Sequence, residues 1–144
     1  MENKIGVYIC SGCGIGESMD LDALSEVASE YKVAVCRRDP FLCAPNGVSG
    51  IVADMDGEGV SRAVIAACSQ RVMTDVFTFP PDKIIERVNL REQVAWSQPA
   101  GEEDTLMMAQ DALRMGLVRV RDSEPQEPFV VEDLSKRILV VAGD

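Results

Sequence analysis

"GVYICSGCGIG", residues 6–16, joins a continuous apolar run to a loop rich in cysteine and glycine. The run from Ile5 to Ile9 is short and does not alternate with polar residues, which is typical of a strand buried on both faces. Cys10 and Cys13 follow, and the glycines around them allow a tight loop. The spacing leaves three interpretations open for this loop: a phosphate-binding turn, a redox dithiol or a pair of metal ligands.

Two further apolar runs follow, and a helical pattern precedes each of them. The resulting order β-α-β-α-β predicts the α/β class, with an open, mostly parallel, three-layer αβα sheet of the Rossmann-like type. Asp20 is a candidate N-cap of the first helix, the second helix is expected to stop near Gly57, and a long C-terminal helix is predicted over 102–120. The predicted strands are 5–9, 32–36 and 63–67. The predicted apolar faces of the first, second and C-terminal helices are, in that order, Leu21, Leu24, Ala28 and Tyr31; Val48, Ile51, Val52 and Met55; and Leu106, Leu113, Leu117 and Val120.

The patterns between the third strand and the long helix are weaker. Residues 72–77 and 82–87 are predicted as short helices on either side of two adjacent prolines. Residues 87–90, "RVNL", are predicted as a fourth short strand.

The chain after the long helix divides into two segments. Residues 122–135 are acidic and contain two prolines, which is typical of a linker. Residues 136–144, "KRILVVAGD", are similar to the first strand of a nucleotide-binding domain, up to the turn that carries the glycine motif. We therefore expect one domain over 1–121, a linker, and the start of a truncated second domain. The alternative is that 136–144 forms an edge strand of the first domain.

Composition argues against several functional classes. The chain has 14 basic and 24 acidic residues and a net charge of −10, which argues against binding to nucleic acid or anionic membranes. It contains no histidine, so Ser-His-Asp and Cys-His catalysis are excluded. No apolar run approaches the roughly 18 residues of a membrane span, and the N-terminus lacks a signal-peptide pattern. We therefore expect a cytoplasmic protein.

The cysteines fall at one edge of the predicted sheet. Cys10, Cys36 and Cys68 end the three predicted strands, while Cys13 and Cys43 lie in the loops that follow. Ligands bind at this edge in open α/β sheets. Thiolates suit iron–sulfur clusters or zinc, and the dispersed spacing favours a cluster. A thioredoxin-type dithiol fits less well, because the following helix begins well downstream of the first cysteine.

With these residues assembled, the chain resembles the N-terminal domain of HdrA, the A-type subunit of heterodisulfide reductase, and its HdrA-like family of iron–sulfur and flavin proteins. The likeness covers most of residues 3–128. The matching stretches are the strand into Cys10 and Cys13, "PFLCAPNG" around Cys43, "VIAACSQR" at 64–71, "RVNLREQVAW" at 87–96, and "DALRMGLVRVRDSEP" at 111–125. The resemblance implies a [4Fe–4S] cluster in this domain, FAD in the missing downstream domain, and partner subunits of a heterodisulfide-reductase-like or hydrogenase-linked electron-transfer complex.

The sequence departs from the family pattern at three places, and these affect the implied ligand set. The first motif is C-x₂-C rather than C-x-C, Val94 stands where a cysteine usually follows "REQ", and Gln70 replaces a proline. The wider first motif allows both of its cysteines to bind. The ligand set implied is therefore Cys10, Cys13, Cys43 and Cys68. Cys36 is expected to be buried and is the alternative ligand.

Two arginines are candidates for a supporting role. Cations near a thiolate-bound cluster raise its reduction potential, so we expect Arg71 or Arg91 to lie beside the cysteines; the alternative for both is a surface salt bridge. Apart from the thiols there is no acid–base or nucleophilic set, so the fragment is not expected to be catalytic alone. The competing functions are an electron-transfer module, a Cys₄ zinc-stabilised domain, and a metal-free docking domain for partner subunits.

Overall fold

The computed structural model describes residues 3–143 of the chain. Four strands and four helices form in the order β1, α1, α2, β2, α3, β3, β4, α4. Their bounds are β1 Lys4–Cys10, α1 Ile15–Ser18, α2 Leu21–Glu30, β2 Val35–Asp39, α3 Pro45–Gly57, β3 Val60–Ala67, β4 Ile84–Asn89 and α4 Glu103–Asp122. A π-helical turn, Arg91–Ala95, follows β4.

The strands form one parallel sheet in the order β2-β1-β3-β4. The connections β1 to β2 and β2 to β3 run in opposite directions across the sheet, so right-handed crossovers place α2 and α3 on opposite faces. Helix α4 packs against α2, β3 and β4 and therefore shares the face of α2. The predicted open, parallel, three-layer α/β fold with a long C-terminal helix is confirmed.

The helices form where their apolar faces meet the sheet. Asp20 caps α2 as predicted, and its carboxylate accepts hydrogen bonds from the backbone N–H groups of Asp22 and Ala23. Three of the four residues predicted for the apolar face of α4 are fully buried, whereas Val52 on the predicted face of α3 is 40% exposed. The core consists mainly of β1 and β3 residues together with one face of each long helix.

Three local predictions were wrong. The second strand is Val35–Asp39 rather than 32–36, because Lys32 adopts a left-handed turn conformation with φ 53°. Residues 82–87 are not a short helix, since β4 begins at Ile84, and residues 72–77 form turns. Both β2 and β4 are edge strands with partly exposed polar residues, which obscured the apolar run that marks a buried strand.

Residues 124–143 follow α4 without any helix or strand, and their apolar side chains are exposed. Residues 136–143 are not part of the sheet, which disfavours an edge strand of this domain, and Asp144 lies outside the described residues. The division into 1–121, a linker and a second domain stays a prediction. None of the helices within 3–143 is both long enough and apolar enough to cross a bilayer.

Candidate metal centre

The parallel sheet brings four of the five cysteines together. Cys10 ends β1, Cys68 directly follows β3, and Cys13 and Cys43 lie in the loops after β1 and β2. All four line one cavity of about 70 Å³. Cys36 is the second residue of β2, is exposed, and does not line this cavity. The expectation that Cys36 ends its strand and is buried was therefore wrong, because β2 starts later and lies at the sheet edge.

The rest of the cavity wall is largely apolar. Of the described residues that line it, Arg91 alone is charged. The remaining side chains in the wall are Ile15, Leu42, Ala67, Met73 and Phe77. A wall of this kind limits contact with water, and its groups suited to bind a soft metal are the four thiols and the thioether of Met73.

Cys10 lies at the closed end of the cavity. Its thiol is buried and donates to the carbonyl oxygen of Pro40 at 3.7 Å. Burial raises the pKa of Cys10, while the nearby backbone N–H groups of Gly12 and Leu42 partly offset that effect. A Cβ at Gly12 would lie 2.0 Å from the Pro40 oxygen, so only glycine permits the two loops to meet here.

Cys13 lies at the open end of the cavity. Its residue is exposed and adopts φ 55°, an uncommon conformation for a non-glycine residue. The indole N–H of Trp96 donates to the Cys13 carbonyl oxygen at 3.0 Å. The Arg91 guanidinium lies 3.7 Å from the Cys13 sulfur. Arg91 is thus beside the cysteines, as the sequence predicted.

Arg87, which was not a predicted site residue, contacts Cys68. Its Nη2 donates to the Cys68 sulfur at 3.2 Å and also to the carbonyl oxygens of Cys68 and Ser69. Its guanidinium lies over the Phe77 ring, 4.4 Å from the ring centre. Arg71 is exposed and does not line the cavity. The only sequence signal for Arg87 was its place in "RVNLREQVAW", one of the stretches that resembles the family.

Within residues 3–143, no three cysteine, aspartate or glutamate side chains converge in the way that one bound metal ion requires. A zinc ion gathers its four ligands on one centre, whereas a cubane cluster binds each cysteine through a different iron and keeps the sulfurs apart.

Comparison with curated proteins finds relatives that are named as A subunits of heterodisulfide reductases. The HdrA of the ferredoxin:CoB-CoM heterodisulfide reductase of Methanosarcina mazei is 36% identical over 148 residues, covering 97% of this chain and 18% of the relative. The HdrA of the H(2):CoB-CoM heterodisulfide,ferredoxin reductase of Methanothermobacter thermautotrophicus is 31% identical over 150 residues, covering 99% of this chain and 23% of the relative. A CoB--CoM heterodisulfide reductase iron-sulfur subunit of Methanopyrus kandleri, also of the A type, is 30% identical over 150 residues, with the same coverage. No family model matches the chain.

Over nearly its whole length, the chain is therefore homologous to one part of the HdrA subunits, and it is an HdrA-like domain. It spans about a fifth of the length of the curated relatives that it matches. Two of those relatives, both from Methanopyrus kandleri, are named iron–sulfur subunits.

Val94 occupies a core position in this HdrA-like domain. The residue is 1% exposed and belongs to the hydrophobic core, and it does not line the cysteine cavity. Cys13, by contrast, lies at the cavity mouth and provides a fourth sulfur. The cavity therefore has four thiols without a cysteine at position 94, as the wider C-x₂-C motif led us to expect.

Proposed function

We propose that this domain is an electron-transfer module in which Cys10, Cys13, Cys43 and Cys68 hold a [4Fe–4S] cluster. The observation that carries the proposal is the gathering of these four cysteines, from the carboxyl ends of three different strands and the loops that follow, around one apolar cavity that leaves Cys36 outside. When bound, the cluster supplies a one-electron redox centre. The buried Cys10 and Cys68 would hold its inner side, while Cys13 would hold the side nearest to solvent.

The other residues of the site fit the charge of such a cluster. A cubane with four thiolate ligands is an anion, and donors near its sulfurs stabilise the reduced form. Two cationic donors are present, Arg87 beside Cys68 and Arg91 beside Cys13. The backbone N–H groups of Gly12 and Leu42 are neutral donors near Cys10. We therefore expect these groups to raise the reduction potential.

The wider role of the protein is inferred from the relatives. Their names describe heterodisulfide reductase subunits, in two cases with ferredoxin as a named redox partner. We infer that this domain passes electrons between a flavin domain binding FAD, which would follow residue 135, and partner subunits of a similar cytoplasmic complex. The competing roles, a zinc-stabilised domain and a metal-free docking domain, would both leave the protein without iron.

The test measures iron and acid-labile sulfide, with absorbance and EPR spectra, on protein reconstituted without oxygen. We expect about four irons and four sulfides per chain. Separate Cys→Ser changes at the four proposed ligands should reduce the iron content or convert the EPR signal. Cys36→Ser is the matched control and should bind iron as the unmodified chain does. Absence of iron in a folded protein would exclude the cluster, and bound zinc would support the Cys₄ alternative.

A further inference from the structure

Glu92 joins two parts of the site that are far apart in the sequence. Its Oε2 accepts a hydrogen bond from the backbone N–H of Ser69 at 2.8 Å, and Ser69 directly follows Cys68. Its Oε1 accepts from Nη2 of Arg91 at 2.6 Å and from Nε at 3.1 Å. One carboxylate therefore holds both the turn that bears Cys68 and the guanidinium that faces Cys13.

The position of Glu92 is itself fixed by the backbone. Its N–H donates to the side-chain oxygen of Asn89 at 3.0 Å, at the end of β4. The π-helical turn then continues with the N–H of Trp96 bonded to the carbonyl oxygen of Arg91 at 2.8 Å. The carboxylate thus projects from a rigid base rather than from a free loop.

Arg91 has few other contacts that could hold it in place. Within residues 3–143, its guanidinium donates hydrogen bonds to the Glu92 carboxylate and to the Cys13 sulfur alone. It also lies over the Trp96 ring, with its central carbon 4.6 Å from the ring centre. The contact with sulfur is long and the contact with the ring is face-on, so the short bonds to Glu92 set the direction of the side chain.

We propose that Glu92 is a positioning residue, which ties the Cys68–Ser69 turn to the Cys13 loop and holds Arg91 against the Cys13 sulfur. The inference rests on the proposed function, since the role of Arg91 there is to tune the cluster. Glu92 itself does not touch the cavity. It acts through Arg91 and through the backbone of Ser69.

The first test uses protein without a cluster and needs no assumption about the metal. Trp96 is the only tryptophan of the chain, so its fluorescence reports directly on the Arg91 contact. Removing the guanidinium in Arg91→Ala exposes one ring face and should increase quenching by acrylamide. Glu92→Ala should give a similar increase, and the double variant should add little to either change. Glu92→Gln keeps one acceptor and should fall between Glu92→Ala and the unmodified protein.

Glu86→Gln is the matched control, because Glu86 also pairs with an arginine, Arg119, at 2.6 Å. It should leave the quenching of Trp96 unchanged. Unchanged quenching in both Glu92 variants, with increased quenching in Arg91→Ala, would show that Arg91 is held without Glu92. No increase in Arg91→Ala would show that Arg91 does not cover Trp96. Either result overturns the proposal.

The second test uses reconstituted protein and measures the reduction potential by EPR-monitored titration. Arg91→Gln should lower the potential, because a cation next to Cys13 is lost. The same change made in the Glu92→Ala background should have little effect, since Arg91 no longer faces the sulfur. Additive effects would mean that Glu92 acts only through its own charge, which overturns the proposal. If no cluster forms, the proposed function fails, and the fluorescence test still decides the role of Glu92.

Discussion

At the scale of single residues, Arg87 shows how a side chain on an edge strand reaches the site. It donates hydrogen bonds to the carbonyl oxygens of Cys68, Ser69 and Val72 and to the Cys68 sulfur. The carbonyls of this turn lie after β3, where no neighbouring strand among the described residues pairs with them. Arg87 therefore both closes the turn and places a positive charge at one proposed ligand.

We expect Arg87→Gln to lower the free energy of unfolding of the cluster-free protein by roughly 1–3 kcal/mol, since several hydrogen bonds to a charged group are lost. Urea unfolding followed by circular dichroism measures this change. Arg71→Gln is the control, because Arg71 is exposed and outside the cavity, and its effect should stay within about 0.5 kcal/mol. In reconstituted protein, Arg87→Gln should also lower the reduction potential. Equal effects of the two variants would show that Arg87 has no special role.

The sequence could not distinguish Arg87 from Arg71. An arginine close to a cysteine in the sequence, as at 71, is the simpler candidate, and an arginine within a strand is usually a solvent-facing residue. The contact of Arg87 with Cys68 depends on the pairing of β4 with β3, in which Arg87 lies opposite Ile65. That pairing is long-range information. The sequence predicted a fourth strand only over 87–90, whereas β4 begins at Ile84.

At the scale of elements, one buried carboxylate fastens α3 to the sheet. Asp54 of α3 is 3% exposed and accepts two hydrogen bonds of 2.5 Å from Arg37 of β2. The hydroxyl of Tyr8 in β1 donates to the same carboxylate at 3.3 Å. The hydrogen bonds from Arg37 outweigh the effect of burial and hold the pKa of Asp54 below its usual value, while burial raises the pKa of Tyr8 well above its usual value.

We expect Asp54→Asn to cost roughly 1–3 kcal/mol of stability at pH 7, because Arg37 loses its partner charge. The folded-state pKa of Asp54 is lowered, so this contribution is present above the unfolded-state pKa of about 3.9 and is lost as the pH falls through the folded value. The difference between the two proteins should therefore be constant from pH 7 to about pH 5 and shrink below about pH 4. Urea unfolding at several pH values measures it.

Asp22→Asn is the control for this pH series. Asp22 pairs with Arg38, the neighbour of Arg37 in β2, at 2.7 Å, but the pair is exposed. Removing it should change stability by no more than about 1 kcal/mol. A difference for Asp54→Asn that does not shrink in acid would show that packing, rather than the charge pair, fastens α3.

The elements were predictable where a local pattern was strong. The continuous apolar runs of β1 and β3 and the N-cap at Asp20 identified three elements correctly. The placement of Cys10 and Cys68 at one sheet edge followed from these two parallel strands alone. The position of Cys36 was missed because it depended on the start of β2, which a turn at Lys32 delays. Edge strands contain both exposed and buried residues, so their ends are set by tertiary contacts rather than by a local sequence pattern.

At the scale of the whole molecule, the proposed site depends on the complete parallel sheet. Its cysteines come from the loops after β1, β2 and β3, and its arginines from β4 and the turn behind it. No segment of the chain holds the site alone, so a cluster would bind the folded domain in preference to the unfolded chain. Cluster loading is therefore expected to stabilise the fold by mass action.

The contact between Arg62 and the C-terminal end of α4 marks the end of the folded unit among the described residues. Arg62 of β3 is 6% exposed and donates hydrogen bonds to the carbonyl oxygens of Val120, Arg121 and Ser123 at the end of α4. Carbonyl groups at a helix C-terminus lack hydrogen-bond partners within the helix. Arg62 therefore caps α4, and these carbonyl oxygens accept the hydrogen bonds of its buried guanidinium. Beyond Ser123, the described residues form no helix or strand.

We therefore expect a chain that ends after Pro125 to unfold at the same urea concentration as the full 144-residue chain. A chain that ends after Val118 lacks the acceptors of Arg62 and the buried side chain of Val120. It should lose roughly 3–5 kcal/mol, because a buried charge loses its partners and core contacts are lost as well. Denaturant unfolding of the three chains, each without a cluster, makes the comparison. A loss of stability on cutting after Pro125 would show that residues 126–144 pack against the domain, and the predicted linker would then be part of the fold. Equal stability of the chain cut after Val118 would show that Arg62 does not depend on the end of α4.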